Sequence, residues 1–254
     1  MSLARKSIFS TKLANPSRLA DGVSEAIADA LIDGRIAPGE ALPPEGEIAR
    51  EFGVSKPIAR EALRQLTNAG LVSTQQGKVA RAKALSGEPM ERIYAYAIRS
   101  SLKRLQEANE MRRVIETGIA RLAAKRHDPE GLEMMRQAIR DMQSGIGKPS
   151  DFTQADILFH LGLATATGNM MIRLQMEGMR SVQREVSELF SQRSNRTEAD
   201  WHATVQRHQA IYDAIAAGDP DLADQRIREH FDAADIASLE VAGVVAGKFE
   251  ERSP

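Results

Sequence analysis

The chain has 254 residues, 42% hydrophobic and 27% charged, which is long enough for two ordinary domains and excludes wholesale disorder. Formal charge is −1 and there is no cysteine, so disulfides and thiolate metal sites are excluded. Aromatics make up only 4%, while Ala, Leu, Glu, Arg, Gln and Met abound, a mixture that favours helix over sheet. Residues 1–85 carry 12 Lys/Arg against 9 Asp/Glu and the remainder 22 against 26, a mildly basic N-terminal part followed by an acidic one. The first residues, Met1 to Ala14, hold Arg5, Lys6 and Lys12 but no apolar core of a signal peptide, and no run of about 18 apolar residues occurs. A cytoplasmic protein with no membrane partner is expected.

After a flexible N-terminus (1–17), Arg18 to Gly34 reads as a helix, with Val23, Ile27, Ala30 and Leu31 at helical spacing and Gly34 as its stop. Ala37-Pro38-Gly39 is a turn, and Leu42-Pro43-Pro44-Glu45 leads into a short helix over 45–52 closed by Gly53. Ser55 stands where it can cap a helix over 56–68, which tolerates Pro57 in its first turn and stops at Gly70. Leu71 to Thr74 and Val79 to Arg81 then predict two short strands around a Gln76-Gly77-Lys78 turn. Two short helices joined at a tight glycine turn and followed by a hairpin outline a winged helix-turn-helix over 18–82.

Residues 83–88 read as a linker. Beyond them every segment is helical in pattern, with helices expected at 89–105, 107–127, 129–143, 150–168, 170–193, 198–217 and 220–243. The fold class is therefore mainly α, a winged helix-turn-helix plus an all-α bundle of six to seven helices over 89–244, with a loose tail over 245–254.

Ile36 to Glu45, Ile48-Ala49, Phe52 to Ser55, Arg60 to Leu63, Leu66 and Gly70-Leu71-Val72 together resemble, without a gap, the N-terminal domain of the GntR family of bacterial regulators. The helix after Ser55 would then be the recognition helix, entering the major groove by its N-terminal end. Lys56 and Arg60 are four apart and share a face, and Arg64 continues it. The guanidinium fork of Arg60 matches guanine O6 and N7, Lys56 suits a base or a phosphate, and Arg64 suits the backbone. In the wing, Gln76, Gly77 and Lys78 form a polar tip for the minor groove. Any surface helix can carry three such cations as a solvated face, so it is the helix-turn-helix context that selects the DNA-binding reading. Two departures matter. Gly46 stands where the family usually has an arginine, and Lys56 stands for its usual arginine after the capping serine.

In the helical part, Asp156 and His160 are four residues apart on one expected helix. His208 and His230 lie eleven residues either side of Asp219, so if Gly218-Asp219-Pro220 turns an antiparallel pair, both sit about 16 Å from the turn and level with each other. Three imidazoles and a carboxylate would suit a divalent metal such as zinc, nickel or manganese. The spacing by itself fits structural histidines equally well. His127, beside a helix end, and His202, on another face, are read as such.

Residues 102–240 resemble the FCD effector domain of the FadR branch of that family. The segments carrying this are Glu110-Met111-Arg112 with Ile115-Glu116, Ala120 to Ala124, Asp156 to His160, Thr167 to Asn169, His208 to Ile211, Ala214-Ile215 with Gly218-Asp219, and His230-Phe231. The resemblance implies metal ligation by Asp156, His160, His208 and His230, a carboxylate effector met by Arg112, and a homodimer on a double-stranded operator. For Arg112 the plain alternative is an ion pair with Glu116, one helical turn away. The function expected is a DNA-binding regulator, repressing in polarity, whose operator affinity responds to a small organic acid. A metal-dependent enzyme is disfavoured because no spare general base is evident, and a purely dimerising C-terminal domain is the remaining alternative.

Overall fold

The computed structural model describes residues 16–74, 79–99, 101–193 and 195–234. Between Leu85 and Ser86 the chain divides into two compact units. In the first, α1 (Pro16–Ile32), α2 (Glu45–Glu51) and α3 (Lys56–Asn68) precede two short strands, β1 (Val72–Ser73) and β2 (Arg81–Ala82). The strands pair antiparallel, Val72 with Ala82 and Ser73 with Arg81, and Ala41 bridges to Arg81. Val23, Ile27, Leu42, Ile48, Leu63 and Leu66 supply the core of this unit, the apolar stripes of three helices meeting over the hairpin. Gly53 turns the chain between α2 and α3 at φ 64°, a conformation that side chains with a Cβ rarely adopt. Ser55 occupies the N-cap of α3 in extended conformation, but its side chain makes no capping bond. Pro57 sits in the first turn, where no intrahelical donor is lost.

The second unit contains eight helices among the described residues: α4 (Glu88–Ile98), α5 (Leu102–Arg126), α6 (Pro129–Ser144), α7 (Pro149–Thr165), α8 (Met170–Gly178), α9 (Arg180–Ser191), α10 (Glu198–Ala216) and α11 (Pro220–Ala233). Helix α7 is buried nearly all round, and Phe152, Phe159 and Leu163 are buried to within 1% of their surface. Such a helix belongs in the centre of a bundle, and it carries Asp156 and His160 there. Glycines permit the close packing of α6 on α7. A Cβ on Gly131 would lie 2.0 Å from the Ala166 backbone nitrogen, and one on Gly162 2.9 Å from Met135.

Several expected boundaries differ: α1 runs Pro16–Ile32 rather than Arg18 to Gly34, and the returning strand is Arg81–Ala82 rather than Val79 to Arg81. The junction expected near residue 106 falls instead before Leu102, because Ser101 caps α5 by accepting from the Arg104 N–H. The single helix expected over 170–193 is interrupted at Met179. There Gly178 lets the chain at Gly87 approach: a Cβ on Gly87 would be 2.3 Å from the Gly178 nitrogen, and one on Gly178 would be 2.8 Å from Met90 Cβ. The helix expected over 220–243 is described to Ala233, and residues 235–254 lie outside the described residues.

Candidate functional site

The exposed face of α3 presents Lys56, Arg60 and Arg64 in register. Arg60 does not extend freely. Its Nε donates to both Glu45 oxygens at 3.1 Å and its Nη2 to Oε2 at 2.9 Å, fixing the guanidinium plane from the first residue of α2. The hydrogen bond from Arg60 holds the Glu45 carboxyl below its ordinary range. Arg64 is similarly tied to Glu61, at 2.6–2.8 Å. The two departures noted in the sequence are neighbours in space, since a Cβ on Gly46 would lie 3.3 Å from Lys56 Cε. Gln76, Gly77 and Lys78 lie outside the described residues. Glu45 as a brace for Arg60 was not anticipated; its signal is a glutamate at the start of the short helix, facing an arginine one helix on.

In the helical unit, α7, α10 and α11 bring the predicted cluster together. The rings of His208 and His230 are 4.6 Å apart between centroids, and His160 is 5.8 Å and 5.2 Å from them. That is the level pairing expected of an α10–α11 hairpin turned at Gly218, whose φ is 69°. One ring nitrogen from each of the three lies within 4.8 Å of the others, and the three residues form a group that can hold a metal ion. Asp156 Oδ1 lies 3.0 Å from His208 Nε2 and 4.0 Å from His160 Nε2. His127 and His202 take other places: His127 ends α5 in a left-handed conformation, and His202 is exposed beside Glu198.

The far sides of these rings fix their tautomers. His160 Nδ1 meets Glu116 Oε2 at 2.5 Å, and His208 Nδ1 meets the Thr204 carbonyl at 2.8 Å. Both partners only accept, so each Nδ1 carries a proton, and in the neutral ring it is Nε2 that is left with a lone pair. His160 Nε2, His208 Nε2 and His230 Nδ1 are buried with no hydrogen-bond partner among the described residues. Burial, and then the nearness of His208 and His160, pushes His230 well below the ordinary imidazole range, leaving it neutral. For Asp156 burial acts upward, but the facing His208 and the nearby His160 and His230 outweigh it and hold the carboxyl well below its usual range.

A lone pair on His208 Nε2 facing a carboxylate oxygen at 3.0 Å is repulsive unless a proton or a cation lies between them. Two ligands each about 2.1 Å from one ion at a right angle would stand about 3 Å apart. The donor set, its orphaned nitrogens and its hydrogen-bonded far sides therefore fit a divalent ion.

The cluster opens onto a cavity of about 200 Å³, also lined by Arg112, Asn109 and Phe231. Arg112 and Glu116 form the ion pair of the plain alternative, Nε to Oε1 at 2.8 Å, both buried. The ion pair and the cavity position coexist, because only Nε is taken up. Glu116 then does more than its spacing suggested: one oxygen holds Arg112 and the other holds His160. Burial alone would raise its carboxyl, but Arg112 and His160 more than reverse this and keep it charged. Arg193, Arg196 and Arg207 line the same cavity and carry no spacing signal in the sequence, the first two lying just before the Thr197 cap of α10 and the third within that helix.

A helix-turn-helix with a strand hairpin, followed by a helical unit holding a polar cavity, defines a two-part DNA-binding regulator. Residues 19–81 match bacterial regulatory proteins of the gntR family, and residues 107–233 match the FCD domain. The chain belongs to the GntR family, among its members with an FCD domain, and is a transcription regulator rather than an enzyme. Similar proteins include the HTH-type transcriptional regulator LutR of Bacillus subtilis, 29% identical over 86% of this chain and 97% of that one. The galactonate operon transcriptional repressor of Escherichia coli is 26% identical over 81% and 90%. The transcriptional repressor NanR of Cronobacter sakazakii is 27% identical over 84% and 82%. The fold is also that of a Streptococcus agalactiae GntR structure, with TM-score 0.63 at 19% identity over 85% of this chain and 99% of that one. No described helix is long and apolar enough to cross a membrane.

Proposed function

We propose that this regulator acts as a repressor, binding a double-stranded operator in the cytoplasm as a homodimer, and that a small carboxylic acid bound at a divalent metal ion in the helical unit releases it. The DNA-binding domain is assigned to residues 18–82 and the effector and dimerisation domain to 89–244, joined by a linker over 83–88. The repressing polarity is taken from relatives whose names call them repressors.

The observation that carries this reading is the convergence of three unpartnered, buried imidazole nitrogens and Asp156 on a cavity that Arg112 also lines. Asp156, His160, His208 and His230 would hold the ion, with zinc, nickel and manganese all suited to imidazole and carboxylate donors. Once bound, the ion supplies an electrophilic centre for an acid's carboxylate oxygen. Arg112 retains its two terminal nitrogens for a second oxygen, in charge-assisted bonds. A cavity of about 200 Å³ is below the ~300–1,000 Å³ of drug-sized sites, and so selects a small acid. On the DNA side, Arg60, held flat by Glu45, reads guanine, while Lys56 and Arg64 reach phosphates or a neighbouring base. Gln76, Gly77 and Lys78 approach the minor groove.

The test is operator binding by fluorescence anisotropy, using metal-depleted and zinc-, nickel- or manganese-loaded protein with a panel of small acids. The expected result is metal-dependent weakening of DNA binding by at least one acid. Operator affinity indifferent to metal and to every acid would leave the helical unit as a dimerising module alone.

A further inference from the structure

Part of the cavity's charge is explained by neither the histidine cluster nor Arg112. Arg193 and Arg196 lie in the turn between α9 and α10, where Arg196 N donates to the Arg193 carbonyl at 3.2 Å, and Arg207 lies on α10. All three line the cavity, and the Nε of each is buried with no hydrogen-bond partner among the described residues. Nη2 of Arg196 and Nη2 of Arg207 both donate to one neutral acceptor, Thr204 Oγ1, each at 3.1 Å. Asp200 pairs with Arg193 at 3.3 Å. Three guanidiniums therefore gather around a single carboxylate and a hydroxyl.

Arg196 is also pressed over the Trp201 ring at 3.7 Å from its centroid, and lies 5.3 Å from that of Phe152. Burial, then the repulsion of Arg193, lowers it to about 10 from the usual arginine value. Crowding this many partly buried cations around one anion is costly unless another anion completes the site. Counting Arg112, the four guanidiniums face the carboxylates of Glu116, Asp156 and Asp200, leaving a net positive charge of one before any metal and three with a divalent ion. Asp200 and Thr204 precede His208 on α10 by eight and four residues, so the cluster stands roughly 6–12 Å along the helix from the imidazoles.

We propose that Arg193, Arg196 and Arg207 form a second anion-binding pole of the cavity, so that the effector is a small acid with two or more anionic groups a few carbons apart. One group lies at the histidine cluster and Arg112, and another, carboxylate or phosphate, lies among the three arginines. This rests on the effector-pocket reading above and narrows the chemistry of the ligand.

Isothermal titration of the full-length, zinc-loaded protein with matched pairs tests it: lactate against malate, and glycerate against 3-phosphoglycerate, with citrate as a trianion. At least one dianion is expected to bind tenfold or more tighter than its monoanionic partner, on the order of one charge-assisted contact. Arg196→Gln and Arg207→Gln should each erase that preference while metal content and monoanion affinity persist, and Arg196→Lys should restore part of it. Should Arg196→Gln prove unfolded by circular dichroism, Arg207→Gln carries the comparison. Equal binding within both pairs, or a preference untouched by the arginine variants, overturns the second pole and leaves the metal-and-acid reading standing. No binding of any acid to the zinc-loaded wild type removes both.

Discussion

Replacing Glu116 by glutamine keeps the side chain's volume but removes its charge and turns one of its two acceptor oxygens into a donor. In the native protein those oxygens hold the Arg112 Nε at 2.8 Å and the His160 Nδ1 at 2.5 Å, with all three side chains at least 97% buried. Glutamine can satisfy one of the two donors and must face the other with its amide nitrogen. Arg112, deprived of its counter-charge in the interior, becomes the main cost. Removing one partner of a buried pair costs about 3–5 kcal/mol, and the retained hydrogen bond brings the expectation for Glu116→Gln to about 2–4 kcal/mol. At about 2–4 °C per kcal/mol for a unit of this size, the helical unit should melt roughly 4–16 °C lower. His160 also loses the acceptor that sets its tautomer, so zinc affinity should fall about 10–100-fold, as for other outer-shell carboxylates. Thermal melts of metal-free protein and competitive zinc titrations measure the two effects separately. A loss below 1 kcal/mol together with unchanged zinc affinity would refute the idea that Glu116 ties the guanidinium to the imidazole.

Other perturbations have equally definite expectations. His208→Ala and His230→Ala should each abolish zinc uptake and the acid response while leaving operator binding in the absence of acid; full metal occupancy in both by mass spectrometry would sink the proposed ligand set. Arg60→Ala should remove sequence-specific operator binding at unchanged melting temperature, and Glu45→Gln, which loosens the brace on Arg60, should cost a smaller share of it in a competition gel shift. Retained specificity in Arg60→Ala would take that residue out of base readout. Gly131→Ala should destabilise the helical unit by roughly 3 kcal/mol or more, because the new methyl would sit 2.0 Å from a backbone nitrogen that only a shift of α6 against α7 can relieve. A melt within 1 °C of wild type would contradict that packing. Finally, if an acid weakens operator binding by some factor, saturating operator must weaken acid binding by the same factor, and titration in the presence of DNA checks that equality.

Most of the DNA-binding unit was legible because its signals are local. The prolines before Glu45, the glycines at 53 and 70 and the apolar stripe of α3 mark boundaries without help from distant residues, and α3 runs over 56–68 as its pattern predicts. The histidine cluster was legible for a different reason: equal spacing about Asp219 becomes spatial adjacency once two helices turn back on each other. The interruption at Met179 was not, since nothing in Met170 to Arg193 weakens the helical pattern enough; the cause is the approach of Gly87, 91 residues before Gly178 in sequence. Glu116 was visible as a partner for Arg112, but its second bond, to His160, depends on α5 packing against α7. Arg193, Arg196 and Arg207 share no helical face or motif in the sequence, and only the fold gathers them on one cavity.

The most direct measurement is zinc titration into metal-depleted full-length protein, in parallel with the His160→Ala, His208→Ala double variant. The wild type should take up about one ion per chain, with sub-micromolar or tighter affinity typical of three imidazoles and a carboxylate, and the double variant should take up none. A wild type that binds no zinc, nickel or manganese, or a double variant that binds zinc as well as the wild type does, would contradict the metal-centred effector site.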